Sequence, residues 1–295
     1  MYIEAFKVFC DLAETGSFSK AAVLNGVTQS AVSQQVRAIE NKFQVVLVDR
    51  GRRSFALTGE GRALLEASRE ILEVYNHLGD RLHEMKNVVA GELRIASIYS
   101  VGLHELPPHL KHFRERFPEV EVHVEYRRSQ QVYSQVLDGE VDLGLVAYPT
   151  RRTGLLVEIF SEDELVLICH PGHPLAKLKT IELEKLNGEK FIAFEPDVPT
   201  RKVIDRYLRE RGVAIEHTME FDNIETVKRA VEVESGVSLV PTVTVRQEVE
   251  NGLLASVRIS GPRLTRPLGV ITRRNRPRSQ AQKEFVAALR EGWKG

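Results

Sequence analysis

The apolar residues near the start of the chain recur at helical spacing, and they predict two short helices joined by a tight turn. In the second helix, four apolar side chains fall at i, i+4, i+7 and i+11 and so share one face, which we assign to a core: Val32, Val36, Ile39 and Phe43. Thr28 is placed to cap this helix and Ser17 or Ser19 to cap the first one, because a hydroxyl there accepts a hydrogen bond from an unpaired backbone N–H. Gly26 lies between them, where a sharp turn favours positive φ. The pattern predicts a helix-turn-helix.

The opposite face of the second helix is polar and mostly uncharged. Its side chains are Gln29, Ser30, Ser33, Gln34 and Arg37. Gln and Arg can form bidentate hydrogen bonds with base edges in the major groove, and Ser can bond a base or a phosphate. The solvated face of an ordinary enzyme helix is usually richer in Glu and Lys. This face therefore favours DNA binding, and the alternative is a helix pair in an unrelated bundle.

A basic hairpin follows the two helices. Short apolar runs at 45–48 and 54–57 flank a tip that contains Arg50, Arg52 and Arg53. Residues 26–58 contain five Lys or Arg and two acids, a local excess of three. The hairpin is therefore predicted to be a wing whose arginines meet phosphates or enter a minor groove. The alternative is a solvated turn.

Residues 59–89 contain no proline, and two series of residues recur every seven positions, offset by four; all their members except Ser68 are large and mainly apolar. The series are Leu64, Ile71, Leu78, Met85 and Ser68, Tyr75, Leu82, Val89. This alternation predicts a coiled-coil seam about four heptads long. We expect the dimer contacts to come from Leu64, Ile71, Tyr75, Leu78, Leu82 and Met85. A dimer would bind double-stranded DNA at a pseudo-palindrome with half-sites about one helical turn, or a multiple of it, apart. The alternative is an amphipathic helix that packs on its own domain.

Beyond residue 90 the chain alternates predicted strands and helices. The strands cover 93–97, 120–126, 141–147, 165–169, 191–194, 237–240 and 268–271. The helices cover 103–117, 130–137, 201–211, 224–233 and 281–289. Regular alternation favours parallel sheets with helices on both faces, and the length of this region is enough for two such subdomains.

Ligands of open α/β sheets bind at the carboxyl ends of strands, and two such ends carry hydroxyl groups. The expected effector-binding residues are Ser97, Tyr99, Ser100, Val101, Tyr148, Thr200 and Asn223. Ser100 and Thr200 begin helices, where hydroxyl and N–H groups suit a carboxylate or a sulfate. If they face each other across a cleft, they bind a small anion together. The alternative is that each hydroxyl only caps its helix.

The distribution of charge and the cysteine content limit the classes of protein to which the chain can belong. Formal net charge is zero, but residues 263–295 contain nine basic residues and two acids, so the middle of the chain is acidic. The two cysteines, Cys10 and Cys169, suggest no disulfide framework.

We find no signal peptide and no membrane-spanning run, and we expect a cytoplasmic protein with no membrane partner. No glycine-rich phosphate loop, nucleophile elbow or catalytic triad is present, so we expect no cofactor and no enzyme. His170 and His173 stand too close together in a proline turn to suggest a metal site.

Residues 6–65 resemble the winged helix-turn-helix of the LysR-type transcriptional regulators. The matching residues are Phe9, Ala13, Gly16, Ser17, Phe18, Ala21, Ala22, the run 28–33, Ile39, Glu40, Arg50, Leu57, Thr58 and Gly61. The resemblance implies that the helix from Thr28 is the recognition helix and that the arginines at 50, 52 and 53 are wing contacts. It also implies that dimers pair into tetramers, that RNA polymerase is a partner, and that the last two hundred or so residues form a periplasmic-binding-protein-like fold crossed twice by the chain.

The chain departs from the family pattern at two helix ends. Gln44 stands where the family commonly has glycine, so the recognition helix lacks its glycine stop. Glu234 stands where a helix-ending glycine is usual, so we expect the loop there to run differently.

The sequence thus predicts an α/β protein of three parts. They are a winged helix-turn-helix DNA-binding domain (1–58), a long coiled-coil linker helix (59–89) and a two-lobed effector-binding domain (90–295). Lobe I is expected to cover about 90–163 and 268–295, and lobe II about 164–267. The predicted function is a DNA-binding transcriptional regulator that responds to a small, anionic effector. The rivals are an α/β enzyme with a DNA-binding appendage, and a solute-binding protein, which the missing signal peptide and the helix-turn-helix both disfavour.

Overall fold

The computed structural model describes the backbone of residues 2–49, 55–84 and 88–291. The chain divides into two compact units. The first contains residues 1–91 and the turn Asp138–Glu140, and the second contains residues 92–137 and 141–295. The arginines predicted to contact DNA from the wing (50, 52 and 53) and the seam residue Met85 lie outside the described residues.

The first unit begins with the predicted helix-turn-helix. Its first helices are α1 (Glu4–Thr15), α2 (Phe18–Leu24) and α3 (Gln29–Phe43). The side chain of Ser17 caps α2 and that of Thr28 caps α3, and Gly26 has the expected positive φ of 63°. The helices enclose a common core: Val8, Phe9, Leu12, Ala21, Ala22, Val32, Val36, Ile39, Leu47 and Val48.

The end of α3 differs from the prediction in two ways. Phe43 was assigned to the core, but it is 49% exposed, because it is the last residue of α3 and lies beyond the part of the helix that packs. Gln44 follows it with φ 54°, and its N–H donates to the carbonyl of Glu40. Gln44 therefore adopts the left-handed conformation that a helix-ending glycine usually takes.

The next helix is α4 (Gly59–Glu84), and Gly61 in its first turn lies against Leu47 in the segment that follows α3. A Cβ on Gly61 would overlap the carbonyl oxygen of Leu47. Thr58 fixes the same junction, because its hydroxyl donates to the carbonyl of Val46 at 2.6 Å and accepts from the N–H of Gly61 at 2.9 Å. A single bridge between Val48 and Leu57 closes the base of the wing.

The predicted seam divides into a covered part and an open part. Leu64 packs on the core of the helix-turn-helix and Ser68 is fully buried, so neither lies on a free face of α4. Ile71, Tyr75 and Leu78 are exposed by 41%, 53% and 52%. Leu82 belongs to α4, whereas Val89 lies outside it, so the helical part of the seam is shorter than the sequence predicts.

Neither α4 nor any other helix within the described ranges is long and apolar enough to cross a bilayer.

The second unit alternates strands and helices. Its strands are β1 (Gly91–Ser97), β2 (Val120–Tyr126), β3 (Leu143–Ala147), β4 (Leu155–Cys169), β5 (Thr180–Ile181), β6 (Lys190–Phe194), β7 (Glu216–Phe221), β8 (Ser238–Pro241), β9 (Ala255–Ile259) and β10 (Thr265–Arg273). Its α-helices are α5 (Tyr99–His104), α6 (Leu106–Arg116), α7 (Ser129–Asp138), α8 (Pro199–Glu210), α9 (Ile224–Glu232), α10 (Arg246–Glu250) and α11 (Gln280–Glu291). The helix predicted over 103–117 is thus two helices, since Pro107 and Pro108 restart the chain as α6.

Two long strands tie this unit together. The main sheet has the order β2-β1-β3-β10-β4-β9-β5, with β8 also paired to β4, and β6 and β7 form a separate parallel pair. The prediction of parallel sheets is wrong for the central strands, because β10 is antiparallel to both β3 and β4. β4 in turn is antiparallel to β8 and β9. The reason is that β10 returns to β3 from the opposite end of the sheet. β4 and β10 serve both halves of the unit, and we call the half with β1–β3 the first lobe and the half with β5–β9 the second lobe.

The loop after α9 follows the same rule as the end of α3. Glu234 has φ 60°, and its N–H donates to the carbonyl of Val231 at 3.1 Å. Glu234 therefore takes the left-handed conformation of a helix-ending glycine. That the loop runs differently from that of the family stays a prediction.

We predict that Gln44→Gly raises the free energy of unfolding by about 1 kcal/mol, since glycine adopts a left-handed φ without steric cost. Calorimetric unfolding of the full chain measures this change. Gln44→Ala is the matched control. It removes the same side chain and keeps the strain, so it should not stabilise the protein. Equal transition temperatures for the glycine and alanine variants would contradict the assignment of strain to this residue.

Candidate functional site

The polar face of α3 lies open at the N-terminal end of the helix. Gln29, Ser30, Gln34 and Arg37 are exposed and Ser33 is half-buried. The first turn of α3 contains no acidic residue, so nothing there opposes the positive end of the helix dipole. Such a face can approach phosphates and base edges together. The hydroxyl of Ser30 lies 2.9 Å from that of Thr28, which links it to the cap of the helix.

Two polar contacts that the sequence did not reveal hold α3 in place. The side-chain amide of Asn25 donates to Asp11 at 2.7 Å and fastens the turn to α1. The carboxylate of Glu40 accepts from the N–H of Leu47 at 3.0 Å and fastens α3 to the start of the wing. Each contact joins residues of different elements, seven residues apart for Glu40 and Leu47 and fourteen for Asp11 and Asn25, which is why helical periodicity alone does not show them.

The second unit contains a cleft of about 710 Å³, counted with its open mouth. Of the expected effector-binding residues, Tyr99, Ser100, Thr200 and Asn223 line it. The lining also includes apolar side chains and charged ones that the sequence did not single out: Ile98, Arg127, Arg128, Phe194, Asp197, Val198, Asp222, Ile224 and Arg266.

Three expected residues lie outside the lining. Ser97 is fully buried and its hydroxyl donates to the carbonyl of Ile98, and Val101 is a core residue. Tyr148 has φ 48° and donates its hydroxyl to the carbonyl of Thr265 at 3.1 Å, so it connects the end of β3 to β10. Burial raises the pKa of Tyr148 to about 12.

The two hydroxyls predicted to face each other are not helix caps. The N-cap of α5 is Ile98 and that of α8 is Val198, and neither makes a side-chain capping bond. Ser100 instead accepts a hydrogen bond from Arg266 at 2.9 Å. Asn223, in contrast, is the N-cap of α9, and it accepts from two N–H groups there. The capping alternative therefore describes Asn223 and neither Ser100 nor Thr200.

A buried ion pair lies behind Ser100. Arg266 on β10 stands opposite Asp163 on β4, and its Nη2 is 3.3 Å from Asp163 Oδ2. Burial lowers the pKa of Arg266, which the charge of Asp163 opposes. Burial raises the pKa of Asp163, which Arg266 opposes in turn. The pKa of the neighbouring Glu105 is raised by its own burial and then by Asp163.

Arg128 connects the two lobes at the mouth of the cleft. Its guanidinium lies 2.8 Å from Asp222, 3.0 Å from Glu195 and 3.6 Å from Asp197, all on the second lobe. The hydrogen bond to Asp222 is the main cause that raises the pKa of Arg128. Because the group is exposed, salt screens this contact.

A second contact between the lobes involves His104, which the sequence pattern does not single out. His104 at the end of α5 lies 2.8 Å from Glu225 on α9. Glu225 lies 3.0 Å from the buried Lys228, which also contacts Glu248 at 2.7 Å. Burial alone would raise the pKa of Glu225. The hydrogen bonds from His104 and Lys228 outweigh this effect, and the pKa lies below its ordinary value.

The histidines at 170 and 173 have a local explanation. Each accepts a backbone N–H through its Nδ1, from Gly172 at 3.1 Å and from Leu175 at 3.3 Å. Across the described ranges, no cluster of three or more His, Cys, Asp or Glu residues is arranged to hold a metal ion.

Two family models cover both units. Residues 3–62 match the bacterial regulatory helix-turn-helix of the LysR family, and residues 86–294 match the LysR substrate binding domain. The chain belongs to the LysR family. Members of this family pair a DNA-binding helix-turn-helix with an effector-binding domain, and the chain is a transcriptional regulator of this kind. The enzyme alternative has no support from these matches.

Two LysR-family relatives are similar over nearly the whole chain, and both are named probable RuBisCO transcriptional regulators. The one from Cyanophora paradoxa is 32% identical over 289 residues, which is 96% of this chain and 89% of the relative. The one from Cyanidium caldarium is 33% identical over 276 residues, 92% and 87% of the two chains.

Solved LysR-family structures have the same fold. A full-length OxyR variant from Pseudomonas aeruginosa matches with a TM-score of 0.78 at 20% identity, over 99% of this chain and 96% of that one. Full-length CbnR, solved with its target DNA, matches with a TM-score of 0.70 at 24% identity over 99% of each chain. The two-lobed fold predicted for the C-terminal part is therefore confirmed.

Proposed function

We propose that α3 reads base edges in the major groove through Gln29, Ser30, Ser33, Gln34 and Arg37. The observation that carries this proposal is the open, mostly uncharged polar face of α3, within a helix-turn-helix of the LysR family. The arginines at 50, 52 and 53 complete the interface from the wing by contacting phosphates or the minor groove. These contacts fix the register of the protein on the duplex, whereas the face of α3 supplies sequence specificity.

We infer that the chain acts as a dimer through α4, and that dimers pair into tetramers. Ile71, Tyr75 and Leu78 support this assignment, because each exposes a large apolar side chain on one stripe of the helix. Leu82 and Met85 continue the stripe in sequence. Leu64, at its start, packs on the core of the helix-turn-helix. The DNA site is then a pseudo-palindrome. The limits 1–58, 59–89 and 90–295 remain our assignment of the three parts.

The effector binds in the cleft of the second unit, where Ser100 and Thr200 present hydroxyls. A small molecule that binds one arrangement of the lobes better than another shifts the protein between two states of its assembly. RNA polymerase is the partner that would read the change, in the cytoplasm. The protein has no catalytic step in this mechanism.

The names of the curated relatives suggest the first DNA to test. They are probable RuBisCO transcriptional regulators, so we propose a promoter of RuBisCO genes, where the source genome carries them, as a candidate target. Genome-wide footprinting of the bound sites tests this target and identifies others.

For DNA recognition, we predict that Gln29→Ala or Ser33→Ala weakens binding to the preferred duplex by about 1–3 kcal/mol and relaxes base preference at one position. Arg52→Ala should weaken binding evenly across sequences and reduce the salt slope. Fluorescence anisotropy with single-base-substituted duplexes at fixed salt measures both effects. Lys111→Ala, which removes an exposed cation from the second unit, is the control. If the α3 and wing variants behave alike, α3 does not read bases.

For assembly, we predict that Leu78→Asp weakens the dimer at least roughly a hundredfold, since two seam leucines are lost and two charges enter an apolar contact. Sedimentation velocity measures the dissociation. Ala63→Asp is the matched control, because it adds the same charge to an exposed position of α4 outside the seam. A Leu78→Asp protein that still sediments without monomer would refute the seam.

For effector response, we predict that Ser100→Val or Thr200→Val raises the effector concentration needed for half-maximal response by roughly tenfold or more, because a ligand oxygen loses its partner. A reporter joined to the bound promoter measures induction, and DNA affinity should not change. Ser256→Val, an exposed position on β9, is the control. Normal induction in both cleft variants would place the effector elsewhere.

A further inference from the structure

Two neighbouring segments of the second unit concentrate positive charge. Residues 150–157 include the start of β4 and residues 272–279 the end of β10, and neither segment contains an acidic residue. The two strands are paired there, and the N–H of Arg274 donates to the carbonyl of Gly154 at 2.8 Å. We call the arginines of these two segments the arginine patch: Arg151, Arg152, Arg273, Arg274, Arg276 and Arg278.

Two arginines of the patch are held by uncharged partners. The guanidinium carbon of Arg152 lies 3.7 Å from the ring centroid of Tyr133, and its Nη2 donates to the side-chain oxygen of Gln130 at 3.0 Å. Nη2 of Arg274 donates to the carbonyl of Leu155 at 3.4 Å. A ring, an amide and a carbonyl orient these guanidiniums but do not cancel their charge, as a carboxylate would.

The outward charge of the patch comes from Arg151 and Arg274, whose side chains are both exposed. Arg278 forms an ion pair with Glu158, so its charge is balanced inside the protein. The other four arginines are half-buried: Arg152, Arg273, Arg276 and Arg278. Like charges gathered in this way repel one another, and a bound polyanion relieves that repulsion.

The composition of the patch fits phosphates better than a protein partner. Both segments lie within the described ranges, and none of their leucine or valine side chains is exposed. Protein–protein interfaces are built around buried apolar and aromatic side chains, whereas a nucleic-acid backbone is bound by Arg and Lys. The planar fork of a guanidinium also matches the oxygens of a phosphate.

The patch lies at the end of the sheet where the chain enters the second unit. Near the end of β10, Ile271 pairs with Gly144, which is close to the start of β3. β1 runs parallel to β3, so its first residue, Gly91, belongs to the same end of the sheet. A duplex bound by the first unit is tethered to the second unit through this point of the chain, which raises its effective concentration for the patch.

We propose that the arginine patch is a second DNA contact, which binds phosphates of the duplex outside the bases read by α3. This inference rests on the proposed function, in which α3 and the wing hold the DNA. The second contact is independent of base sequence. It adds affinity and salt dependence, because every phosphate that an arginine neutralises releases counterions.

Charge reversal in the full-length protein tests the contact. The probe is a random-sequence duplex of about 60 base pairs, or roughly six helical turns. We expect R151E/R274E to bind it at least roughly tenfold more weakly. The slope of log affinity against log salt should also fall in magnitude by about two, because each lost phosphate contact removes about 0.9. The matched control is K177E/K202E, which reverses two exposed lysines of the second lobe and should change the affinity by less than about threefold.

A photo-cross-link measures proximity without removing any arginine. The exposed Asn275, between Arg274 and Arg276, is replaced by p-benzoylphenylalanine, and the exposed Lys177 is replaced in the same way as a control. After irradiation with the same duplex, we expect DNA to be joined to the chain through position 275 and not through position 177. The result does not depend on the folding of a charge-reversed variant.

Four results would overturn the inference: unchanged affinity in R151E/R274E, an equal loss in K177E/K202E, no DNA cross-link through position 275, or a cross-link there to another protein chain alone. Base preference among single-base-substituted duplexes should be the same in R151E/R274E as in the wild-type protein, since α3 is unchanged. A wild-type protein that selects a duplex without these effects contradicts the second contact alone. Failure of the wild-type protein to select any duplex would instead refute the proposed function.

Discussion

The antiparallel pairing of β4 with β10 is the contact on which the second unit depends. Each strand continues from one lobe into the other, so the two lobes share a hydrogen-bonded backbone and are not joined by loops alone. The same pairing sets Arg266 opposite Asp163 and carries the guanidinium to the floor of the cleft. A cation at that depth is stable only because a strand partner supplies the opposite charge.

The cleft therefore combines a rigid floor with an adjustable mouth. At the floor, the pair is buried and held by the sheet. At the mouth, Arg128 reaches across to acids of the second lobe, and His104 makes a second contact between the lobes outside the cleft lining; both contacts are partly exposed. Exposed ion pairs contribute little stability and are screened by salt, so the side chains at the mouth hold the two lobes together only weakly. Weak closure next to a stable floor is the arrangement that lets a small molecule change the balance between states.

The sequence predicted the local features well because they depend on neighbouring residues. The caps Ser17 and Thr28, the turn at Gly26 and the strand β2 all follow from short-range spacing. The return of the C-terminal strand to the first lobe was predicted, but the antiparallel direction of the central strands was not, because β10 pairs with a strand about a hundred residues away in the chain.

Charged residues inside the fold were also missed. Arg266 lies in a basic C-terminal region and reads as a surface residue, and only its pairing with β4 buries it. Gln44 and Glu234 show the reverse case: the sequence lacks a glycine, yet the helix ends force a left-handed residue at both positions. Tertiary structure here overrides a local preference at a modest energetic cost.

The close approach of Gly61 to the carbonyl of Leu47 has a mechanical consequence within the first unit. Together with the hydrogen bond from the Thr58 hydroxyl to the carbonyl of Val46, this contact fixes the first turn of α4 to the segment that follows α3. We therefore expect α4 and α3 to move together as one rigid body. A rotation of α4 would therefore be passed on to α3 as a change in the angle of its polar face.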